Sequence, residues 1–556
     1  QSGKELCQGH GICRNVFPMR VLRRLLPSLV PALLLSCDDR TAADRAVEDR
    51  ILIVGNSSEP KGLDCHLVTG VLESNLIRAL FEGLCTEHQS VDGQALPGTA
   101  ESWEANEDFT VWTFNLGRDR KWSDGVPVTA EDFLFSYQRI LTKTLGSEYN
   151  EMLFYIRNAE EFYKGEITDF SKVGIRAPDD YTLEISLRGS IPFLPEITKH
   201  YTWYPVPRHV VMKHSNGKID APFSGWTKPG NIVSNGPFAL KSWRINDHIA
   251  VEKNPHYWDR DKVQLDGIRF LPVVNSYTES RMFFDGLMHI TYIVPPEFIP
   301  YARKNYPDQF RSELYLGTKF VRCNVTRKPL DDIRVRKALG MAIDRESLIE
   351  NITQGGQEPA YGMVPPFGNY KTGRAISFDP DQAARLLDEA GFQNRIDFPR
   401  ITLLAPDRDV SKRMAEAYQG MWKKHLGIHI EIAQKEWTSY LNAMTNLDYD
   451  LADSGWIGDY LDPTTFLDMW IKDGGNNRTG WANGEFEEIL KQSEHERDPA
   501  KRLLVLQKAE KILMGELPAI TIYWYTTNYL IDPRVKGWNP LLLNNHPWKW
   551  VSLEPN

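Results

Sequence analysis

From residue 51 onward, stretches with apolar side chains at alternate positions are interleaved with stretches at helical spacing, and no linker separates them. Ile51-Leu52-Ile53-Val54 reads as a short apolar strand closed by a Gly/Asn/Ser turn. Leu72 to Leu84 reads as a helix carrying Ile77, Leu80, Phe81 and Leu84. Trp112, Phe114 and Leu116 alternate with polar residues, Asp124-Gly125 marks a turn, and Thr129 with Asp132 forms a capping box opening a helix on which Phe133, Tyr137 and Ile140 share a face. Further on, Asp379-Pro380 starts a helix that runs through Ala383 to Ala390 and stops at Gly391. A second helix ends at Gly427, and Ile428, Ile430 and Ile432 then alternate as a strand. With no repeat of fixed period, this interleaving predicts an α/β class built on mixed sheet.

The chain has 556 residues, enough for several closely packed domains, and 42% hydrophobic residues with 16 Trp, 22 Tyr and 24 Phe exclude a disordered chain. A net charge of -9 gives no general attraction to phosphate backbones, so no nucleic-acid partner is expected. The six cysteines, Cys7, Cys13, Cys37, Cys65, Cys85 and Cys323, form neither a CxxC pair nor a zinc-finger grouping, so no metal and no cofactor is expected. The motifs HExxH, GxSxG, GxxxxGK[ST] and GxGxxG are all missing. His425 and His429 straddle the helix stop at Gly427, and Asp331-Asp332 and Glu101/Glu104 read as caps and solvated faces. No catalytic residue is assigned.

The N-terminal region supplies an address. Arg20, Arg23 and Arg24 follow Met19 and precede an apolar run, Leu25 to Leu35, which is interrupted by Pro27 and Pro31 and ends at Ser36-Cys37. That run is about half of the roughly 20 residues a spanning helix needs, so it reads as a signal peptide. Leu34-Leu35-Ser36-Cys37 resembles the bacterial lipobox, which makes Cys37 the expected acylated N-terminus of the mature protein. Residues 1–18 precede the expected start and carry no period. Asp38 resembles an inner-membrane retention signal, so the expected address is extracytoplasmic, on the outer face of the cytoplasmic membrane.

An ordered set of matches covers the rest of the chain: Leu80-Phe81-Glu82-Gly83-Leu84, Pro97-Gly98-Thr99-Ala100-Glu101-Ser102-Trp103, Lys121-Trp122-Ser123-Asp124-Gly125, Asn235-Gly236-Pro237-Phe238, Asn254-Pro255-His256-Tyr257-Trp258-Asp259, Asp332-Ile333-Arg334-Val335-Arg336 and Gly455-Trp456-Ile457-Gly458-Asp459-Tyr460-Leu461-Asp462-Pro463. These resemble the dipeptide/oligopeptide-binding family of extracytoplasmic solute receptors that feed ABC importers. The resemblance implies a two-lobed periplasmic-binding-protein-like fold with an extra third domain, the ligand enclosed between the lobes. It implies domain one at 38–81, 207–316 and 526–556, domain two, the extra domain, at 82–206, and domain three at 317–525, after a leader at 1–37. It also implies a monomer with a peptide ligand and an ABC permease as partner. The same scaffold binding a nickel chelate, haem, an oligosaccharide or a murein peptide stays open, as does a secreted hydrolase with an unrecognised carboxylate site.

Carried over by residue, Asp459 matches the aspartate that pairs with a peptide's α-ammonium, with a loop cap as the alternative. Val71, Gly455 and Ile457 match positions whose backbone holds the peptide as an added strand. Trp437, Tyr292, Phe320, Trp456 and Tyr525 match, or lie within a residue of, pocket-lining positions, and for each an ordinary core position is the alternative. A family cysteine pair would fall near Gly317 and Ile457 and is missing. Asp453 stands where the family places an arginine, and Arg322 stands where it places a glutamate. Asp453 shares its strand parity with Asp459, so a compensating cation is needed, and Arg322 is the expected one, either locking Asp453 or gripping a peptide carboxylate.

Overall fold

The computed structural model describes residues 40–472 and 474–555, and Cys37 with the rest of the leader lies outside them. Among the described residues no helix is long and apolar enough to cross a membrane. The expected strand forms at Ile51–Gly55. It pairs in parallel with Gly267–Leu271, and His248–Lys253 and Phe238–Arg244 complete an antiparallel extension, giving a four-stranded sheet. The helix that follows is shorter than its pattern, spanning Val71–Leu80. Tertiary bonds end it: Leu80 O accepts from Gly236 N at 2.8 Å, and Asn235 Oδ1 accepts from Glu82 N at 3.1 Å. Phe81 and Leu84 are nevertheless buried, because the extended segment carries them into the same core.

A second four-stranded sheet is wholly antiparallel and contains Ala100–Ala105, Val111–Leu116, Thr182–Ser186 and Ile175–Asp179. The helix Ala130–Leu141 packs on it and opens with the expected capping box, Asp132 Oδ2 accepting from Thr129 N at 3.0 Å. Its inward residues Phe133, Tyr137 and Ile140 are fully buried.

The third sheet is mixed, as the alternating patterns predict. Its six strands run in the order Glu358–Pro359, Ala519–Leu530, Phe310–Cys323, Leu451–Ile457, Thr402–Pro406, Glu431–Lys435. The last three are mutually parallel and the others antiparallel. One face, through Val321, Leu403, Leu451 and Ile522, packs on the helices Ile333–Met341, Pro380–Glu389 and Asp409–Leu426. The opposite face, through Phe320 and Ala519, packs on Thr464–Leu467, Gly484–His495 and Pro499–Glu516. The helix stops at Gly391 and Gly427 are as expected, with φ of 99° and 69° that a side chain would oppose. The strand after Gly427 starts later than its alternation suggests: Ile428 and Ile430 are buried in the approach, and only Ile432 lies within Glu431–Lys435.

The ladder between Phe310–Cys323 and Ala519–Leu530 shifts register twice, widely near its middle, where it passes from Leu314↔Thr526 to Thr318↔Trp524, and by a single residue between Lys319↔Tyr523 and Phe320↔Thr521. Leu316 turns out of that ladder, taking Gly458 N at 2.8 Å on its carbonyl and donating its own N–H to Leu542 O at 2.7 Å.

Candidate functional site

Open α/β sheets take ligands outside the carboxyl ends of their parallel strands. Here those ends are Pro406, Lys435 and Ile457, and the segments leaving them bring Arg408, Trp437 and Asp459 to one side of the sheet.

The strand Leu451–Ile457 has a free edge. On one side it is paired along its whole length with Gly317–Cys323, but on the other Thr402–Pro406 reaches only Leu451 and Ala452. Because Gly458 N–H points to Leu316 O, strand alternation turns the backbone groups of Gly455 and Ile457 the other way, toward the open edge. Asp453 O, of the same parity, already takes the Tyr440 hydroxyl at 2.7 Å. Gly455 and Ile457 are half-buried, and no described residue is bonded to that side of them. A Cβ on Gly455 would collide with the Tyr525 hydroxyl, which would have to shift to admit one. Gly317 and Ile457 stand opposite each other in register, and a Cβ on Gly317 would meet Trp456 O and Tyr525 Cδ2 at 2.9 Å.

Asp459 lies just past this edge. Thr465 Oγ1 accepts from its backbone N–H at 3.0 Å, which fixes the turn, while among the described residues no hydrogen bond or ion pair reaches its carboxylate. Burial, with Glu151 adding repulsion, pushes the Asp459 carboxyl up to about 7. The carboxylate in turn raises the Tyr149 hydroxyl and, after burial, those of Tyr201 and Tyr315. Asp459 therefore sits in a tyrosine-lined recess where residues from 149–201 meet the large sheet, as a half-buried acid with no ion-pair partner among the described residues.

Other sequence-assigned residues divide between cleft and core. Tyr525 packs edge-on to Tyr523, with ring centroids 5.3 Å apart, and leans over Gly455. Trp437 is 42% exposed, stacks on Tyr440 and carries the Arg408 guanidinium 4.7 Å from its centroid. Tyr292 is half-buried, its N–H held by Glu279 Oε1 at 3.0 Å, and burial pushes that carboxyl up to about 7. Val71 is 42% exposed but opens a helix rather than a strand, so any backbone group it offers is a first-turn amide. Trp456 is half-buried and packs toward the core on the sheet's other face.

Two expectations are corrected. Phe320 is completely buried, 5.9 Å from the Trp470 ring, and lies in the core. Arg322 does not neutralise Asp453. It stands opposite Ala452, on the Phe320 face, where its guanidinium donates to Ser454 Oγ at 3.2 Å and Asn476 O at 3.1 Å, and burial pushes it down to about 10. The cation on Asp453 is Lys319, with Nζ 2.8 Å from Oδ1. Lys319, Arg408, Tyr315 and Tyr149 went unassigned in the sequence, although a signal for the first was present: setting Gly317 against Ile457 puts Lys319 against Gly455 and on the Asp453 face.

Away from this cleft, Asp64, Cys65 and His66 converge as a metal site would. Asp64 and His66 are already engaged, since Arg139 reaches both Asp64 oxygens at 2.9 and 2.6 Å and His66 Nδ1 at 2.9 Å. Cys65, Cys85 and Cys323 are buried free thiols.

The model of the bacterial extracellular solute-binding proteins, family 5 middle, matches residues 94–478. The chain is 34% identical over 529 residues to the periplasmic oligopeptide-binding protein OppA of Salmonella typhimurium, covering 92% of this chain and 94% of that one. It superposes on a periplasmic oligopeptide-binding protein of Borrelia burgdorferi with a TM-score of 0.81 at 34% identity, covering 91% of this chain and 100% of the other. Against the Escherichia coli murein tripeptide-binding protein MppA the TM-score is 0.80 at 31% identity, whereas against an unliganded open form of MppA it is 0.70, both covering 91% of this chain and 98% of the other. The two-lobed architecture is that of these neighbours.

Proposed function

Because the chain belongs to family 5 of the bacterial extracellular solute-binding proteins, we propose that it is an extracytoplasmic receptor that binds oligopeptides and hands them to an ABC import permease. The observation that carries this reading is the open backbone edge at Gly455 and Ile457 ending beside the unpaired Asp459 carboxylate. An extended peptide adding to that edge gains main-chain bonds whatever its sequence, and its α-ammonium meets the one charge the recess lacks. Tyr525, Trp437 and Tyr292 supply wide, rigid apolar surface for side chains of varied shape.

In this reading the receptor is a monomer that makes and breaks no covalent bond. Acyl chains on Cys37 hold it at the outer face of the cytoplasmic membrane, and its domains divide as the family resemblance implies, with 82–206 as the extra domain. Closure around peptide is the signal to the permease. Native mass spectrometry of protein purified without denaturation tests the ligand class. A ladder of peptide masses is expected, and one defined non-peptide solute would replace this reading.

A further inference from the structure

At the inner end of the open edge two opposite charges face one another. Lys319 Nζ and Asp453 Oδ1 are 2.8 Å apart, with side chains 9% and 0% exposed. They come from adjacent strands, Lys319 opposite Gly455 and Asp453 opposite Val321, so both share the face of Gly455 and Ile457. Burial raises the Asp453 carboxyl and Lys319 pulls it back. The Ser411 hydroxyl also favours the Asp453 anion. Tyr418, Tyr523 and Tyr525 lie beside the carboxylate, and Arg408 acts on Tyr525 from the cleft side.

Alone, Lys319 would be a receptor for a carboxylate; alone, Asp453 would be one for an ammonium. Paired at contact distance in a low-dielectric site, each cancels the field of the other, and a ligand charge entering there gains nothing. We propose that Asp453 masks Lys319, making the inner end of the cleft charge-neutral, and is thereby a specificity-determining residue. The class of ligand this selects is peptides anchored at the amino end alone, whose carboxyl end is read neither as a charge nor as a limit on length. From Asp459 back to Asp453 the strand covers about 20 Å, the reach of an extended peptide of about six residues. Peptides of about that length would end beside the pair, shorter ones would stop before it and longer ones would run past it.

This inference rests on the peptide-binding reading. Calorimetry on the mature protein with tri- to heptapeptides, each as free acid and C-terminal amide, tests it. Acid and amide are expected to agree within about threefold at every length, and a wild-type preference of about tenfold or more for the acid at any length overturns the masking. Asp453→Asn should unmask Lys319, so that at the length whose terminus reaches it the acid binds about tenfold or more tightly than the amide. A folded Asp453→Asn protein with no preference at any length also overturns it. Should that variant not fold, the double variant Lys319→Met, Asp453→Leu has to keep the wild-type indifference, and a new preference in it overturns the proposal. If no peptide of either kind binds the wild type, the peptide-binding reading itself fails, an outcome distinct from all of these.

Discussion

Asp459 is an acid that the fold holds at a cost. Its carboxyl stands at about 7 against an ordinary 3.8, because burial and Glu151 disfavour the anion. A group that binds its proton more tightly in the folded state carries no penalty below 3.8; the penalty grows between 3.8 and about 7 and is complete above. Asp459→Asn removes it, so the ligand-free variant should be more stable than wild type at pH 8 by about 1–3 kcal/mol, less than full linkage because the group is partly solvated. The same change should weaken peptide binding by about 2–5 kcal/mol. Wild-type affinity should fall by nearly tenfold per pH unit below about 7, while the variant stays flat. Thermal melts and calorimetry across pH check all three, and a destabilised variant would contradict this account. Asp459 and Gly455 were legible in the sequence through the family resemblance of the segment Gly455 to Pro463, not through local patterning, since their neighbours Tyr149, Glu151 and Tyr525 are distant in sequence. Arg322 and Phe320 were misplaced because which face a residue takes depends on the partner strand's register, and a shift of one position exchanges faces.

The Tyr525 side chain lying over Gly455 shows what patterning leaves out. Capping boxes, glycine stops, helical spacing and alternation located four helices and three strands, since each signal depends on a few neighbouring residues. The early end at Leu80 and the late start at Glu431 escaped, because Asn235, Gly236 and the parallel partner Thr402–Pro406 set them from afar. Gly455 and Tyr525 form another such distant pairing, the Tyr525 hydroxyl filling the place of a Cβ. Gly455→Ala should cost about 1–3 kcal/mol through overpacking, and Tyr525→Phe, which removes the obstructing hydroxyl, should recover at least half of that in the double variant. Urea unfolding of the four proteins measures the coupling, and strictly additive losses would show that the hydroxyl is not the obstacle.

At the scale of the whole molecule, contacts fasten the large sheet's domain to the rest. Arg188 reaches Glu494 Oε1 at 3.3 Å, Ser190 donates its N–H to Glu494 O at 2.8 Å, and Asp108 pairs with Arg497. Across the other side Glu297 pairs with Arg413. The structure is more similar to MppA, at a TM-score of 0.80, than to its unliganded open form, at 0.70. Removing Arg188, Arg497 and Arg413 together should favour opening by about 1–2 kcal/mol and weaken ligand about five- to thirty-fold, in faster dissociation and less so at high salt. Stopped-flow release measures it, and unchanged rates would show that closure does not draw on these pairs. The broken ladder between Leu314↔Thr526 and Thr318↔Trp524 bears on how such a motion happens at all. A sheet hydrogen-bonded without interruption resists folding along its strands as corrugated board does, but this one is scored. If the lobes part, the bending is expected at Tyr315, Leu316 and Gly317, leaving the bonded lengths on either side intact. In the proposed reading, resistance to opening would then come from the latches and a bound peptide rather than from the sheet, and a receptor built this way could be stiff in both halves and still release its cargo.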